Sequence, residues 1–264
     1  MNIVVCVKQV PDTAEVKIDP VTNTLVRSGI PSIMNPFDKQ ALEAALILKD
    51  TNGAKVTVIT MGPPQADEIL KEALAMGADE AALISDRALA GSDTLATSHA
   101  MAAAVTKVGA YDLVLCGKQA IDGDTAQVGP EMAEHLDLPQ VTGALKIVES
   151  NGKLLVDRDN ENTSQTIAVQ MPALVTVTRS EKEPRFASIK GKMKARKAVI
   201  PVWSAADLNL DEKIIGLAGS PTKVLKIFTP TMPEIKNEII TEEDPQKAVD
   251  LLVDKLLAAK IIMR

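Results

Sequence analysis

Aromatic side chains are almost missing from this chain: its 264 residues include one Trp, one Tyr and three Phe. A planar ligand therefore cannot be boxed between rings that the chain itself supplies, and aliphatic side chains, backbone or a second protein must cover its faces. Cysteine is as scarce. Cys6 and Cys116 both fall in apolar runs, which reads as two buried reduced thiols rather than a disulfide or a metal pair. No stretch approaches the ~20 consecutive apolar residues of a membrane span and no cleavable apolar segment opens the chain, so the expectation is a cytoplasmic protein. Excess positive charge is lacking too. With 29 Lys and Arg against 35 Asp and Glu the net charge is -6, which argues against nucleic acid as a partner, because a polyanion needs cationic surface to release its counterions.

Catalytic signatures are also absent. Neither GxxxxGK[ST] nor a GxGxxG following a strand occurs, and no Ser or Cys sits in a nucleophile elbow. The SGGxDS loop of ATP pyrophosphatases is not there, which weakens an ATP-cleaving role. His99 and His135 lack partners at metal-ligand spacing and read as structural. Any redox chemistry would have to belong to a bound cofactor.

What the chain does have is an alternation of apolar runs and amphipathic stretches, 46% hydrophobic and 24% charged, long enough for one large α/β domain with appendages. Asn2 to Lys8, Lys55 to Thr60, Glu80 to Ser85 and Leu113 to Cys116 are apolar between polar ends and read as buried parallel strands. Amphipathic spacing predicts helices between them: one opened by Asn35-Pro36, one through Leu70 and Leu74, and a long one from Gly91-Ser92-Asp93-Thr94 through Ala104. Residues 14–18 and 24–28 read as a hairpin excursion. From Val141 to Thr178 the pattern shifts to four short alternating runs with Ser150-Asn151-Gly152 as a hairpin turn, expected as antiparallel strands extending the same sheet. The whole predicts an α/β fold, a doubly wound and mostly parallel sheet over residues 1–200, followed at 201–264 by a connector with a Pro-rich segment, Thr229 to Pro233, and a C-terminal arm with an amphipathic helix over Thr241 to Leu257.

The chemistry concentrates in Tyr111 to Pro130, YDLVLCGKQAIDGDTAQVGP. A strand breaks at Gly117 into a loop holding Lys118, Gln119, Asp122, Gly123, Asp124, Thr125, Gln127 and Val128, and an apparent helix runs on through Met132 and Leu136. A helix starting beside Asp124 or Thr125 offers an anion its unpaired first-turn N–H groups and its positive dipole end. The spacing alone is read equally well as an ordinary strand-to-helix connection with a capping side chain. Other loops hang off the same edge, however. Cys6, Met61 and Cys116 close three strands; Asn35, Pro36, Phe37, Asp38 and Gly62 follow two of them; Asp93, Thr94 and Thr97 open the long helix, with the two hydroxyls three residues apart on one face. Taken singly, Asn35 is an N-cap, Gly62 a tight turn, and the Thr pair solvated. Ligands of such sheets bind at the carboxyl ends of the strands where strand order reverses, so the convergence of these loops points to a nucleotide-phosphate site.

GKQAIDGDTAQVGP, MNPFDKQALEAAL, ALAMGADEA, EPRFASIKGKMKARK and VDRDNENTSQTIAVQMPALVT together resemble the β subunit of an electron transfer flavoprotein. The matches run from Met1 to about Lys197, with one departure, Asn162, where an acid or glycine is usual. The resemblance implies an adenine-nucleotide-hydrolase-like fold and a heterodimer with an α subunit that holds one FAD. In the β chain it implies either AMP as a structural filler or a second FAD that takes hydride from NADH and bifurcates the electrons, one path leading to ferredoxin or flavodoxin and the other through the α-subunit FAD to an acyl-CoA dehydrogenase. Thr94, Thr97 and the GDTAQVGP wording resemble the two-flavin branch, so FAD is the expectation. Asn35 to Asp38 and Cys6 would then line the adenosine, and Gly123 to Val128 would hold pyrophosphate and ribityl oxygens. A nucleotide-sensing module without a redox role remains the rival from another class. It explains the βα half but not the basic run from Glu183 to Lys197, whose six cations, Arg185, Lys190, Lys192, Lys194, Arg196 and Lys197, surround Phe186 and Ile189. A charge run reads first as a solvated face; an apolar tip in a cationic rim also suits docking on an acidic partner, and Arg185, Phe186, Ile189 and Lys192 are the docking candidates. The resemblance further implies that Ile189 inserts into the partner dehydrogenase and that the C-terminal arm wraps the α subunit.

Overall fold

The computed structural model describes residues 1–12, 31–160, 163–179, 183–225, 228 and 237–263. The chain divides into two compact units, Met1–Leu225 and Lys226–Arg264. The expected hairpin at residues 14–28, the departure at Asn162 and the Pro-rich segment at 229–233 lie outside the described residues.

In chain order the first unit runs β1 (Asn2–Cys6), β2 (Gln9–Pro11), β3 (Ser32–Met34), α1 (Pro36–Asn52), β4 (Lys55–Met61), α2 (Asp67–Met76), β5 (Glu80–Ile84), α3 (Thr94–Val108), β6 (Leu113–Gly117) and α4 (Val128–His135). It continues with β7 (Gln140–Ser150), β8 (Lys153–Asn160), β9 (Thr163–Gln170), β10 (Ala173–Val177), α5 (Ile189–Ala195) and β11 (Val202–Trp203). Nine strands form one sheet in the order β11-β5-β4-β1-β6-β10-β7-β8-β9, and β2 pairs with β3 apart from it.

Burial explains this order. The strand sequences NIVVC, VTVIT and LVLC are apolar at successive positions, so both faces must be covered. Ile3, Val5, Val56, Val58 and Leu115 pack with α1 and α2 on one face. Val4, Cys6, Ile59, Val114 and Cys116 pack with α3 and α4 on the other. From β1 the chain crosses to β4 and β5 on one side, and α3 then carries it back to β6 on the opposite flank of β1. Connections leaving β1 and β6 therefore part to opposite faces, and the crevice between them opens at their carboxyl ends, where Cys6 and Cys116 stand in register.

The extension of the sheet differs from the sequence expectation. β10 inserts beside β6 and runs parallel to it, and β7 runs parallel to β10, so in this sheet β8 alone runs against the other strands. Alternation in these runs reports one solvated face and does not report strand direction. The turn between β7 and β8 forms as expected. Asn151 and Gly152 both take positive φ, 53° and 77°, the pairing a two-residue primed turn requires. The sheet also reaches past residue 200, because β11 pairs in parallel with β5.

In the second unit α6 (Pro245–Ala258) is capped by Asp244, whose side chain accepts from the Gln246 amide at 3.0 Å. None of its residues is buried.

Candidate functional site

The strand ends set the floor of the site. β1 stops at Cys6 and β6 at Gly117, and an amide at each strand end turns toward one carboxylate: Asp38 Oδ2 accepts from the Lys8 N–H at 2.8 Å and Oδ1 from the Gly117 N–H at 2.9 Å. Asp38 sits in the first turn of α1 and is 6% exposed. Burial pushes its carboxyl up to about 7, with the two amide hydrogen bonds and the Lys8 charge pulling the other way. Gly117 is required by closeness: a Cβ there would overlap Asp38 Oδ1 and come within 2.7 Å of the Asp38 and Phe37 backbone. Burial likewise raises the thiols of Cys6 and Cys116, which are free and inert by that measure.

Asn35 occupies the position before α1, yet its side chain makes no cap. Fully buried, it donates from Nδ2 to the Gln119 carbonyl at 2.8 Å and accepts at Oδ1 from the Ile121 amide at 3.2 Å, fastening the loop after β6 to the start of α1. Lys8, which sequence reasoning passed over, bridges Asp122 at 2.7 Å. Gln119 bonds Asp124. Two loop residues take left-handed φ, Asp124 at 53° and Ala126 at 55°.

The helix does not begin where the sequence suggested. α4 starts at Val128 after Gln127, and neither Asp124 nor Thr125 caps it. A cap would have consumed the amides; instead no N–H of Thr125, Ala126, Gln127, Val128 or Gly129 donates to a described residue. Amides with no acceptor among the described residues, strung through left-handed turns into a helix start, have the makings of an anion cradle. The donor set therefore fits the diphosphate of a dinucleotide such as FAD, or the monophosphate of AMP. Gly129 lets the helix come down on the sheet, since a Cβ there would lie 2.8 Å from Cys116 Sγ.

The long helix joins the same rim. Asp93 is its cap, accepting from the Ala96 amide at 3.1 Å, and also accepts from the Thr222 amide and hydroxyl at 3.0 and 2.8 Å. Burial works against its charge, but these hydrogen bonds outweigh it and hold the carboxyl low. Asp93 is thus committed to protein contacts. Thr94 faces the loop, its hydroxyl 3.2 Å from both Gln127 Oε1 and Glu131 Oε1. Thr97 lies one turn further along the helix and is half-buried. Met61 and Gly62 close β4, the Gly62 amide donating to the Ile84 carbonyl at 3.0 Å. Lys118 is exposed, its amide donating to the Val177 carbonyl at 2.7 Å.

The docking candidates divide into two kinds. Arg185 is held by its own chain, its guanidinium on Glu43 at 2.9 Å and Asp50 at 2.7 Å of α1. Phe186 and Ile189 are 96% and 82% exposed, with Met193 beside them on α5 at 61%. Ser188 caps that helix, and Gly191 lets it approach the Ala75 carbonyl. Lys192 is exposed.

A model of the electron transfer flavoprotein domain matches residues 22–208. The electron transfer flavoprotein subunit beta of Megasphaera elsdenii is 52% identical over 99% of this chain and all of its own length. The protein of that name from Clostridium acetobutylicum is 52% identical over 97% of this chain and 98% of its own. The caffeyl-CoA reductase-Etf complex subunit CarD of Acetobacterium woodii is 49% identical over 99% of this chain and its full length. The chain belongs to the electron transfer flavoprotein family, among its β subunits.

Proposed function

We propose that this chain is the β subunit of a cytoplasmic heterodimeric electron transfer flavoprotein that holds FAD at the rim between β1 and β6. In this reading the complex accepts hydride from NADH and bifurcates the electrons, one path to ferredoxin or flavodoxin and the other through the α-subunit FAD to an acyl-CoA dehydrogenase. When bound, the flavin supplies the two-electron and one-electron chemistry. The chain's own residues bind and orient. The amides of Thr125 to Gly129 and the Thr125 hydroxyl receive phosphate and ribityl oxygens, Asn35 and Asp38 hold the loop and the strand ends at fixed spacing, and Cys6 and Cys116 supply a floor free of charge. No side chain of the chain acts as acid or base.

The observation that carries FAD over AMP is the Thr94 hydroxyl 3.2 Å from Gln127, which ties the GSDTLATS helix start to the GDTAQVGP loop at one rim. The Acetobacterium woodii relative, a subunit of a caffeyl-CoA reductase-Etf complex by name, supports an acyl-CoA-type partner. The exposed face of α6, with Val249 53%, Leu252 48% and Leu251 44% accessible, supports an arm that packs on the α subunit. Purifying the full chain with its co-expressed α subunit tests the proposal. Two FAD per heterodimer is the expected result; one FAD with AMP overturns bifurcation, and a colourless complex overturns the flavin site altogether.

A further inference from the structure

The seam between α3 and α4 holds a titratable cluster that the binding of a nucleotide does not by itself require. His99 on α3 and His135 on α4 stack with ring centroids 3.8 Å apart and 23° between planes. His135 Nε2 lies 3.0 Å from Ser98 Oγ. Glu131, in the first turn of α4, meets the Thr94 hydroxyl with Oε1 at 3.2 Å, while its Oε2 is buried and has no partner among the described residues. Burial and then the neighbouring His135 hold His99 below its ordinary value, with Glu131 pulling it up. Of the other titratable groups packed here, Cys6 and Cys116 lie beneath α3 and α4 with thiols raised by burial, and Asp93 is committed to Ala96 and Thr222. Ser98 Oγ, which lies on His135, also donates to the Leu95 carbonyl at 2.8 Å, and β10, packed on α4, has no titratable residue. Of the remaining charges on the elements around α3 and α4, Lys107 is bonded to the Asp207 carbonyl, Glu134 is exposed, and Arg87, Lys146 and Glu149 lie on neighbouring segments.

Glu131 and the amide row share one helix end. An acidic side chain in the first turn already satisfies part of the positive end of the helix, so an arriving phosphate meets a competitor of its own sign. A buried carboxylate oxygen with no donor is also costly, and positive charge on the neighbouring His99 ring offsets part of that cost through space. Two stacked imidazoles cannot both be cationic cheaply, so at most one of the two rings carries charge.

We propose that Glu131, His99 and His135 make nucleotide affinity proton-linked: binding of a phosphate-bearing ligand at the amide row draws one proton into this cluster. The inference rests on the reading of the rim as a nucleotide site. Its consequence follows from linkage: a ligand that brings up one proton binds up to about tenfold more tightly for each unit that pH is lowered. Glu131 is here a determinant of affinity acting through charge, beyond the Thr94 contact it makes.

The test is calorimetric titration of FAD into the heterodimer stripped of its β-site nucleotide, in two buffers of different ionisation enthalpy at the same pH. FAD suits the purpose because its diphosphate oxygens do not titrate near neutrality, so any proton exchanged comes from protein. The expected result is an apparent enthalpy that depends on buffer, with net proton uptake, and loss of that dependence in Glu131→Gln, whose affinity at pH 8 approaches that of the parent at pH 6. His99→Gln reads the same term from the other helix. Binding heat identical in both buffers for the unmodified complex overturns the proton link and leaves the site standing. No binding of FAD overturns both, and this outcome is read without any variant having to fold.

Discussion

Replacing Gly117 by Ala tests the geometry of the crevice most directly. The added methyl group enters the space of Asp38 Oδ1 and of the Phe37–Asp38 backbone, two atoms of which lie 2.7 Å from its position. Backbone cannot step aside as a side-chain tip can. The Asp38 carboxylate is pushed from the Gly117 amide, a hydrogen bond to a charged group worth about 1.5–3 kcal/mol, and the overlap itself adds about 1–3 kcal/mol. A loss of about 3–6 kcal/mol lowers the unfolding midpoint of a unit this size by roughly 10 °C or more. Gly123→Ala is the internal control. That residue stands in the same loop, no atom lies within 4 Å of its built Cβ, and a surface change of this sort shifts stability by about 0.5 kcal/mol at most. Thermal unfolding of both variants, followed by circular dichroism at one protein concentration, makes the comparison. Equal midpoints for the two variants, or a Gly117→Ala midpoint within 2 °C (about 1 kcal/mol) of the parent, refute the account of the strand ends as a close-packed joint.

The Asp38 carboxyl gives a pH dependence of definite sign. With its value raised to about 7 in the folded chain, it keeps a proton that the unfolded chain releases above about 4, so stability is greatest below that point and falls by up to about 4 kcal/mol as pH rises toward 7; urea midpoints at pH 5 and 7 measure the slope, which is absent in Asp38→Asn. Thr94→Val combined with Thr97→Val lowers flavin occupancy of the β site, and unchanged flavin content in the purified heterodimer removes those contacts from the site. Arg185→Ala frees the segment bearing Phe186 and Ile189 from α1 and raises the KM for the partner dehydrogenase severalfold through lost preorganisation, whereas Ile189→Ala lowers docking by removing the apolar anchor itself; equal electron transfer by parent and both variants would sink the docking assignment.

Much of the fold was legible because buried parallel strands announce themselves: NIVVC, KVTVITM and LVLC need cover on both faces, and the helices between them show one apolar stripe. Strand direction past Val141 was not legible. A run such as LVTV carries no mark that it will insert beside β6, because that choice is made by long-range packing. The candidate residues do gather at strand ends as their spacing suggested, but the contacts that each makes there were not legible. Asn35 looked like a cap and makes instead a pin across 84 residues of sequence to the Gln119 carbonyl, and the bonds of Arg185 to Glu43 gave no sign of themselves in the basic run. Lys8 and Glu131 carried one weak signal each, a cation at the exit of the first strand and an acid in the first turn of α4. Ordinary residues at ordinary spacings gain function only from what the fold brings to face them.

The poverty in rings has a practical side. Trp203, on the short edge strand paired with β5, is the single indole of the chain, and the Lys107 ammonium stands 5.6 Å from its ring centroid. Indole emission from the subunit therefore comes from one address at the sheet margin. An ordinary fluorimeter can follow the peeling of that margin, and the quenching of its light by any yellow chromophore taken up between β1 and β6, with no label added.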